Sequence, residues 1–361
     1  MKNPATKTFH GNHCHAPMLA AGLLISLSFG KTDVPVFLLS GQSNMVSMAS
    51  VNDLTADRKK NVENVMINAG ADCDASKKGK WLPLGPGFGS QAVNFGLELF
   101  LGKTLSDSMP GVKIAFIKNS VCGTVLGQSD AWLPPSSNKG TGGTLYKNMM
   151  THIDAAMKSF GSAFDTANYI PRWAGFIWLQ GESDAMNQNL ANAYEANLDN
   201  LIKDIRAKVG AADLPVVLPL ITTLPKWTYN VKIRDADVAM KLKLKNVDTL
   251  ETKEYQTPDG MHYNAAGQMQ IGTIAALRWL AMKYADGIAV PVVHDHAAPP
   301  ALFREQRWTA SRPVLLFDMT GRLVPTGGAA SGVRISALAS VSPALSHSHG
   351  QLHRGKTAII R

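Results

Sequence analysis

The chain has 361 residues, 45% hydrophobic and 17% charged, enough to bury one large core, or one core plus a small appendage. Its formal net charge of +9 is concentrated at the ends: residues 301–361 hold eight Lys and Arg against two acidic side chains, residues 1–30 add two Lys, and 31–300 are left at +1. A nearly neutral main segment argues against a nucleic-acid enzyme, and the lack of any run of about 20 apolar residues argues against a membrane span.

Lys2 and Lys7 precede an apolar stretch over 18–29, and Ser28 and Gly30 stand at the −3 and −1 positions of a cleavage site. Residues 1–30 therefore read as a secretory signal peptide. His10, His13, Cys14 and His15 crowd the charged end of this segment and would leave with it. The main domain is expected over 31–287. Residues 34–39 are a short apolar run, a strand buried on both faces, and Ser40-Gly41-Gln42-Ser43-Asn44 ends it in a polar turn. Residues 65–68 form a second strand, and 80–89, rich in Gly, Pro and aromatics, a loop over the sheet. Val93, Leu97, Phe100, Leu101 and Leu105 have helical spacing over 92–105. A third strand over 112–117 runs into the polar turn Lys118 to Thr124, and a long loop over 132–143 is expected to border a substrate cleft.

A helix is expected over 145–160. The strand over 173–179 ends in Gln180-Gly181-Glu182-Ser183-Asp184, with Asp184 expected to cap the long helix over 187–209. A fifth strand covers 214–221 and a lysine-rich helix 229–243. Thr257-Pro258-Asp259-Gly260 is a turn leading to His262, and Asn264 caps a last helix to Tyr284. Strands alternating with helices give a doubly wound α/β fold with a mostly parallel, five-stranded sheet, whose sites lie beyond the carboxyl ends of the strands. Residues 288–300 read as a linker. Residues 301–361 form a small tail, β-rich or poorly patterned, with a hairpin over 314–324 that turns at 319–321. His347, His349 and His353 lack a supporting carboxylate or cysteine and read as solvated. Whether Cys73 and Cys122 pair is left open.

The strand-end turns 40–44 and 180–184, together with the Asp259-Gly260-Met261-His262 turn before the last helix, supply a hydroxyl, an imidazole, carboxylates and amides, the parts needed for acyl transfer. Ser43 is the candidate nucleophile and His262 its general base, since a serine hydroxyl needs a base within reach at neutral pH. Asp259 can hold the imidazole tautomer, and Glu182 is a rival or additional partner. Candidate oxyanion donors are the backbone N–H groups of Ser43 and Gly123 and the Gln180 side-chain amide. Position 45 is Met, so G-x-S-x-G is absent, and no Walker A, G-x-G-x-x-G or H-E-x-x-H motif calls for a metal or cofactor.

Gly41-Gln42-Ser43-Asn44-Met45, the Gly123-Thr124 turn, Gln180-Gly181-Glu182-Ser183-Asp184 and Asp259-x-x-His262 resemble, in order, the four blocks of the SGNH hydrolase superfamily, nearest to carbohydrate esterase family 6 and the related sialate O-acetylesterases. The resemblance covers about 33–285. It implies a three-layer α/β/α fold and a metal-free serine esterase that removes acetyl groups from polysaccharide, typically acetylated xylan. It places the nucleophile on Ser43, the base on His262, the oxyanion donors on Ser43, Gly123 and Gln180, and the acid partner on Asp259, with Glu182 sharing or replacing it. Ser120-Val121-Cys122-Gly123 departs from the family's more usual Gly-Gly-Thr turn. The tail stretch 317–324 is similar to C-terminal sorting or anchoring modules of secreted bacterial polysaccharide-degrading enzymes, which implies a secreted or cell-surface protein whose tail meets export machinery or a surface partner. Two alternatives stand beside the acetylesterase: a lipase- or thioesterase-like SGNH hydrolase of other acyl esters, and a silent carbohydrate-binding protein stacking sugars on Trp81, Trp132 and Trp227.

Overall fold

The computed structural model describes residues 30–284 and the backbone of two further short strands, Leu316–Phe317 and Ala358–Ile359. In chain order the main part contains β1 (Thr32–Gly41), α1 (Ser43–Val46), β2 (Ala49–Ser50), β3 (Val65–Ala69), β4 (Trp81–Pro83), β5 (Asn94–Phe95), α2 (Leu97–Ser108) and β6 (Ile114–Ser120). It continues with α3 (Thr144–Lys158), β7 (Tyr169–Leu179), α4 (Gln188–Val209), β8 (Val216–Pro219), α5 (Asn230–Lys243), β9 (Val247–Leu250) and α6 (Ala265–Lys283).

Side chains alternate across a strand, and here alternation builds the layers. Along β1, Val34, Val36 and Leu38 join a core with Met149 and Ile153 of α3, Leu198 and Ile202 of α4 and Ile233 of α5. Phe37 and Leu39 point the other way, into a core with Leu101 and Leu105 of α2 and Ile271 and Trp279 of α6. The result is three layers: α3, α4 and α5 on one face, α2 and α6 on the other. The sheet order is β4-β3-β6-β1-β7-β8-β9, parallel throughout except for the antiparallel edge strand β4. Central β1 lies between β6 and β7, and connections lead from it to both sides, so the crevice of the fold opens where β1 ends.

The sheet has seven strands rather than five. The two additions are edges: β4 pairs with β3 through Trp81, Leu82 and Pro83, in a stretch whose Pro and Gly read as loop, and β9 carries half-buried Asp248 and Thr249 that mask its apolar pattern. The loop after β6 is anchored on both sides: Trp132 is fully buried, edge-on to Trp178, and the turn that follows docks on α4 through two hydrogen bonds from Ser136 to Asp204, while residues 139–141 are exposed. The tail hairpin falls mostly outside the described residues; Leu316–Phe317 pairs antiparallel with Ala358–Ile359. The leader, the linker and the tail histidines lie outside them as well. Cys73 and Cys122 are free thiols, and burial pushes the Cys122 thiol up to about 11.

Strand β6 runs three residues past its expected end because Lys118 is neutralised inside the core. It continues the row of Ile114 and Phe116 toward α2, where its Nζ pairs with Glu98 Oε2 at 2.8 Å; the two side chains are 3% and 0% exposed. Nζ also donates to Val46 O at 3.1 Å and Phe88 O at 2.9 Å, so this ion pair holds the end of α1 from below. Removing one partner of such a pair leaves an uncompensated buried charge. Lys118→Met is expected to cost about 3–5 kcal/mol, read by chemical denaturation; a loss within experimental error would mean that Glu98 finds another cation or water.

Candidate active site

The turn carrying Ser43 is shaped by close backbone approach. Gly41 has φ +151°, and a Cβ there would lie 2.0 Å from Leu179 O, so β1 and β7 can end side by side only with glycine at this position. Gln42 N–H then donates to Leu179 O at 3.1 Å and Val121 N–H to Gly41 O at 3.1 Å, which seats the ends of β7 and β6 against the start of α1. Ser43 is the first residue of α1, 9% exposed. Its hydroxyl makes no hydrogen bond within the described residues; bonds between a nucleophile and its base are often long before substrate binds.

The two neighbours of Ser43 reach in opposite directions. Asn44 Nδ2 donates to Glu182 Oε1 at 2.7 Å and to Met261 O at 3.1 Å, and Asn44 Oδ1 accepts from Tyr263 N–H at 3.0 Å. The residues on both sides of His262 are thereby bonded to the residue after Ser43. Tyr263 is anchored in turn: its hydroxyl accepts from Thr222 N–H at 3.0 Å and bonds Thr252 Oγ1 at 2.7 Å. Asn264 accepts from Gly267 N–H at 2.9 Å, the N-cap expected for α6. Segments 217 or more residues apart in sequence thus meet at one crevice.

His262 Nδ1 bonds Asp259 Oδ2 at 2.6 Å, while Asp259 Oδ1 accepts from the backbone N–H groups of Met261 and His262 at 2.8 and 2.7 Å. Partial burial raises the Asp259 carboxyl, but those backbone bonds and the imidazole outweigh it and hold it at about 2. Asp259 is therefore ionised and can fix the Nδ1–H tautomer, leaving Nε2 free to accept a proton. Glu182 makes no hydrogen bond to His262. Its carboxyl is buried, which pushes its pKa up; Oε1 takes the Asn44 amide, and Oε2 has no hydrogen-bond partner among the described residues.

On the other side, Gln180 Nε2 has three acceptors in reach: Gln42 Oε1 at 3.0 Å, Thr124 O at 2.9 Å and Asp184 Oδ2 at 2.6 Å. An amide has two N–H donors, so both are spent inside the protein and none is directed at a substrate. In this arrangement Gln180 ties the residue before Ser43 to the residue after Gly123. Gly123 has φ +67°, with open space where a Cβ would sit. Its turn is held by Cys122 N–H to Asp72 Oδ2 at 2.7 Å and by Trp132 Nε1–H to Thr124 Oγ1 at 2.7 Å. Asp184 does not cap α4; Asn187 does, accepting from Asn189 and Leu190 N–H. Asp184 is buried and accepts from Leu126 N–H, so it anchors the Gly123 loop, and burial, only partly offset by the Gln180 amide and backbone N–H groups, pushes its carboxyl up to about 6. Sequence reading missed that role, and no local pattern marks it, because the backbone that Asp184 holds lies 58 residues away.

The family model for carbohydrate esterase, sialic acid-specific acetylesterase, matches residues 33–281, well over half the chain. The chain belongs to this family. A curated relative from Arabidopsis thaliana, named as a probable carbohydrate esterase, is 28% identical over 156 residues, 41% of this chain and 55% of that protein, so the chain matches about half the length of that relative. Among solved structures, an Arabidopsis thaliana protein superposes with TM-score 0.54 at 20% identity, covering 70% of this chain and 99% of that one. A carbohydrate acetylesterase from Xanthomonas citri superposes with TM-score 0.53 at 17% identity, covering 71% and 58%. At these identities the superpositions establish a shared fold. The family match begins at the start of β1 and ends near the end of α6, so it contains every element that brings Ser43, Gly123, Glu182 and His262 together. In this carbohydrate esterase family member Trp81, Trp132 and Trp227 are buried in the core, so none offers a ring face to a sugar.

Proposed function

We propose that the chain is a secreted carbohydrate O-acetylesterase, acting on acetylated polysaccharide and most directly on acetylated xylan, through a serine acyl-enzyme. The observation that carries the reading is the bonding of both flanks of His262 to Asn44, which brings a histidine–aspartate pair to the turn of Ser43 at the crevice of a parallel sheet. Family membership supplies the substrate class.

In this reading Ser43 Oγ attacks the acetyl carbonyl carbon and His262 Nε2 takes its proton, while Nδ1–H stays bonded to Asp259. The oxyanion of the tetrahedral intermediate accepts from the backbone N–H groups of Ser43 and Gly123. Collapse breaks the ester C–O bond, and His262 returns the proton to the departing sugar oxygen. Water, deprotonated by the same imidazole, then cleaves the acetyl-enzyme to acetate and Ser43. Residues 1–30 act as the export leader, 31–287 as the esterase domain, 288–300 as a linker and 301–361 as a sorting or anchoring tail.

The purified protein is expected to release acetate from acetylated xylan and p-nitrophenyl acetate. A protein that releases none, from these or from a panel of acetylated glycans, would refute the reading. One observation favours a second substrate range. Met48, Met186 and Met261 are 39%, 56% and 42% exposed on the segments that carry Ser43, Glu182 and His262, and flexible apolar thioethers suit an aliphatic chain. Profiling p-nitrophenyl esters by chain length decides between them: the acetylesterase reading predicts the highest kcat/KM at two carbons, and a maximum at longer chains would favour an esterase of other acyl groups.

A further inference from the structure

We propose that Asn44 is a positioning residue, one side chain that sets the height of the His262 loop over the Ser43 turn. The proposal rests on the serine-esterase reading for its consequence in catalysis, and on geometry alone for the contact itself. Asn44 is 1% exposed, so it does not meet substrate. Both of its amide hydrogens and its carbonyl are engaged: Nδ2 with the Glu182 carboxylate and Met261 O, Oδ1 with Tyr263 N–H. Its own backbone carbonyl accepts from Gln268 Nε2 of α6 at 3.0 Å, so the helix that follows the His262 loop is tied to the same residue. The tie to Glu182 gives the arrangement its stiffness. That carboxylate is buried after β7, with Asn44 as the hydrogen-bond donor to its side chain, and turning the Asn44 amide would strip it. The His262 ring bonds Asp259 and makes no hydrogen bond to α1 among the described residues, so the bonds to the backbone on either side of it are what hold its loop against α1.

A residue that acts through the base should matter only while the base is present. Asn44→Ala removes all three side-chain bonds. Asn44→Ser leaves a short hydroxyl beside the Glu182 carboxyl, adds no charge, and serves if the alanine chain does not fold. Each is measured alone and combined with His262→Ala. Since a displacement of about 1 Å costs on the order of 10²-fold, kcat for acetate release should fall by about that factor, with KM within about twofold. In the His262→Ala background the same change should cost less than about twofold. An unchanged kcat, a loss confined to KM, or an equal loss in both backgrounds overturns the proposal. Amide hydrogen exchange reads the contact without any turnover: Tyr263 N–H should be protected in the wild type and exchange faster in Asn44→Ala. If the wild type releases no acetate, the functional reading fails while this exchange difference still decides the contact; equal protection in both proteins refutes it.

Discussion

Ser43→Ala is expected to abolish acetate release, lowering kcat by up to about 10⁶-fold, the loss seen when a serine hydrolase is stripped of its nucleophile. What remains should be the smaller catalysis of the oxyanion donors and of substrate positioning. The fold should not notice. The Ser43 hydroxyl makes no hydrogen bond within the described residues, and the bonds that shape its turn are made by the backbone around Gly41 and Gln42 and by the Asn44 side chain. Its removal should change stability by less than about 1 kcal/mol, a shift of at most roughly 2–4 °C in the unfolding midpoint. Activity that survives the substitution, measured on acetylated xylan alongside thermal unfolding, would exclude Ser43 as the nucleophile.

Asp259→Asn is the second large effect. The carboxylate accepts the His262 Nδ1–H and two backbone N–H groups at once. An asparagine can keep the backbone bonds through its carbonyl, but it then presents an N–H₂ to Nδ1. The imidazole would carry its proton on Nε2, the tautomer that cannot deprotonate Ser43. In a buried triad that error costs about 10⁴-fold in kcat; Asp259 is half exposed, so water can compete, and a loss of about 10²–10³-fold is expected here. Glu182→Gln should do less to the tautomer, because Glu182 bonds Asn44 and not the imidazole. Full activity in Asp259→Asn together with loss in Glu182→Gln would reverse the assignment. The pH profile adds a sign. Asp259 is depressed below its ordinary value to about 2, so its bond to the imidazole is in place above the unfolded carboxyl range and is lost only as pH falls through about 2. An acid limb of kcat/KM above about pH 3 therefore belongs to another group.

The layers of the fold were legible because burial writes itself as alternation. Val34 to Leu39 read as a strand buried on both faces, and those faces now line two separate cores. Asn264 was legible as a cap for the same local reason: its side chain answers a backbone N–H three residues on. Legibility failed where partners come from far away. Lys118, Asn119 and Ser120 read as a polar turn, yet they finish a buried strand, because Glu98 neutralises the lysine and Ser40 Oγ donates to Asn119 O at 2.6 Å. Asp184 read as a helix cap because position alone suggested it, whereas its acceptors serve Leu126, 58 residues away. The short edges β4 and β9 were lost to Pro83 and to Asp248 and Thr249, residues an edge strand tolerates. Within the site, the residue types announced acyl transfer, but the direction in which each amide points did not follow from them: Gln180 turns its donors inward and Asn44 carries the link to His262.

The central claim is that Ser43 is made nucleophilic by His262. A phosphonate ester with a p-nitrophenolate leaving group tests it directly, since it is attacked by an activated serine and leaves a stable adduct that peptide mass spectrometry can locate. The account predicts stoichiometric release of p-nitrophenolate and an adduct on Ser43 in the wild type, with labelling slowed at least about 10³-fold in His262→Ala. An adduct on any other residue, or equal labelling of Ser43 with and without the imidazole, would contradict it.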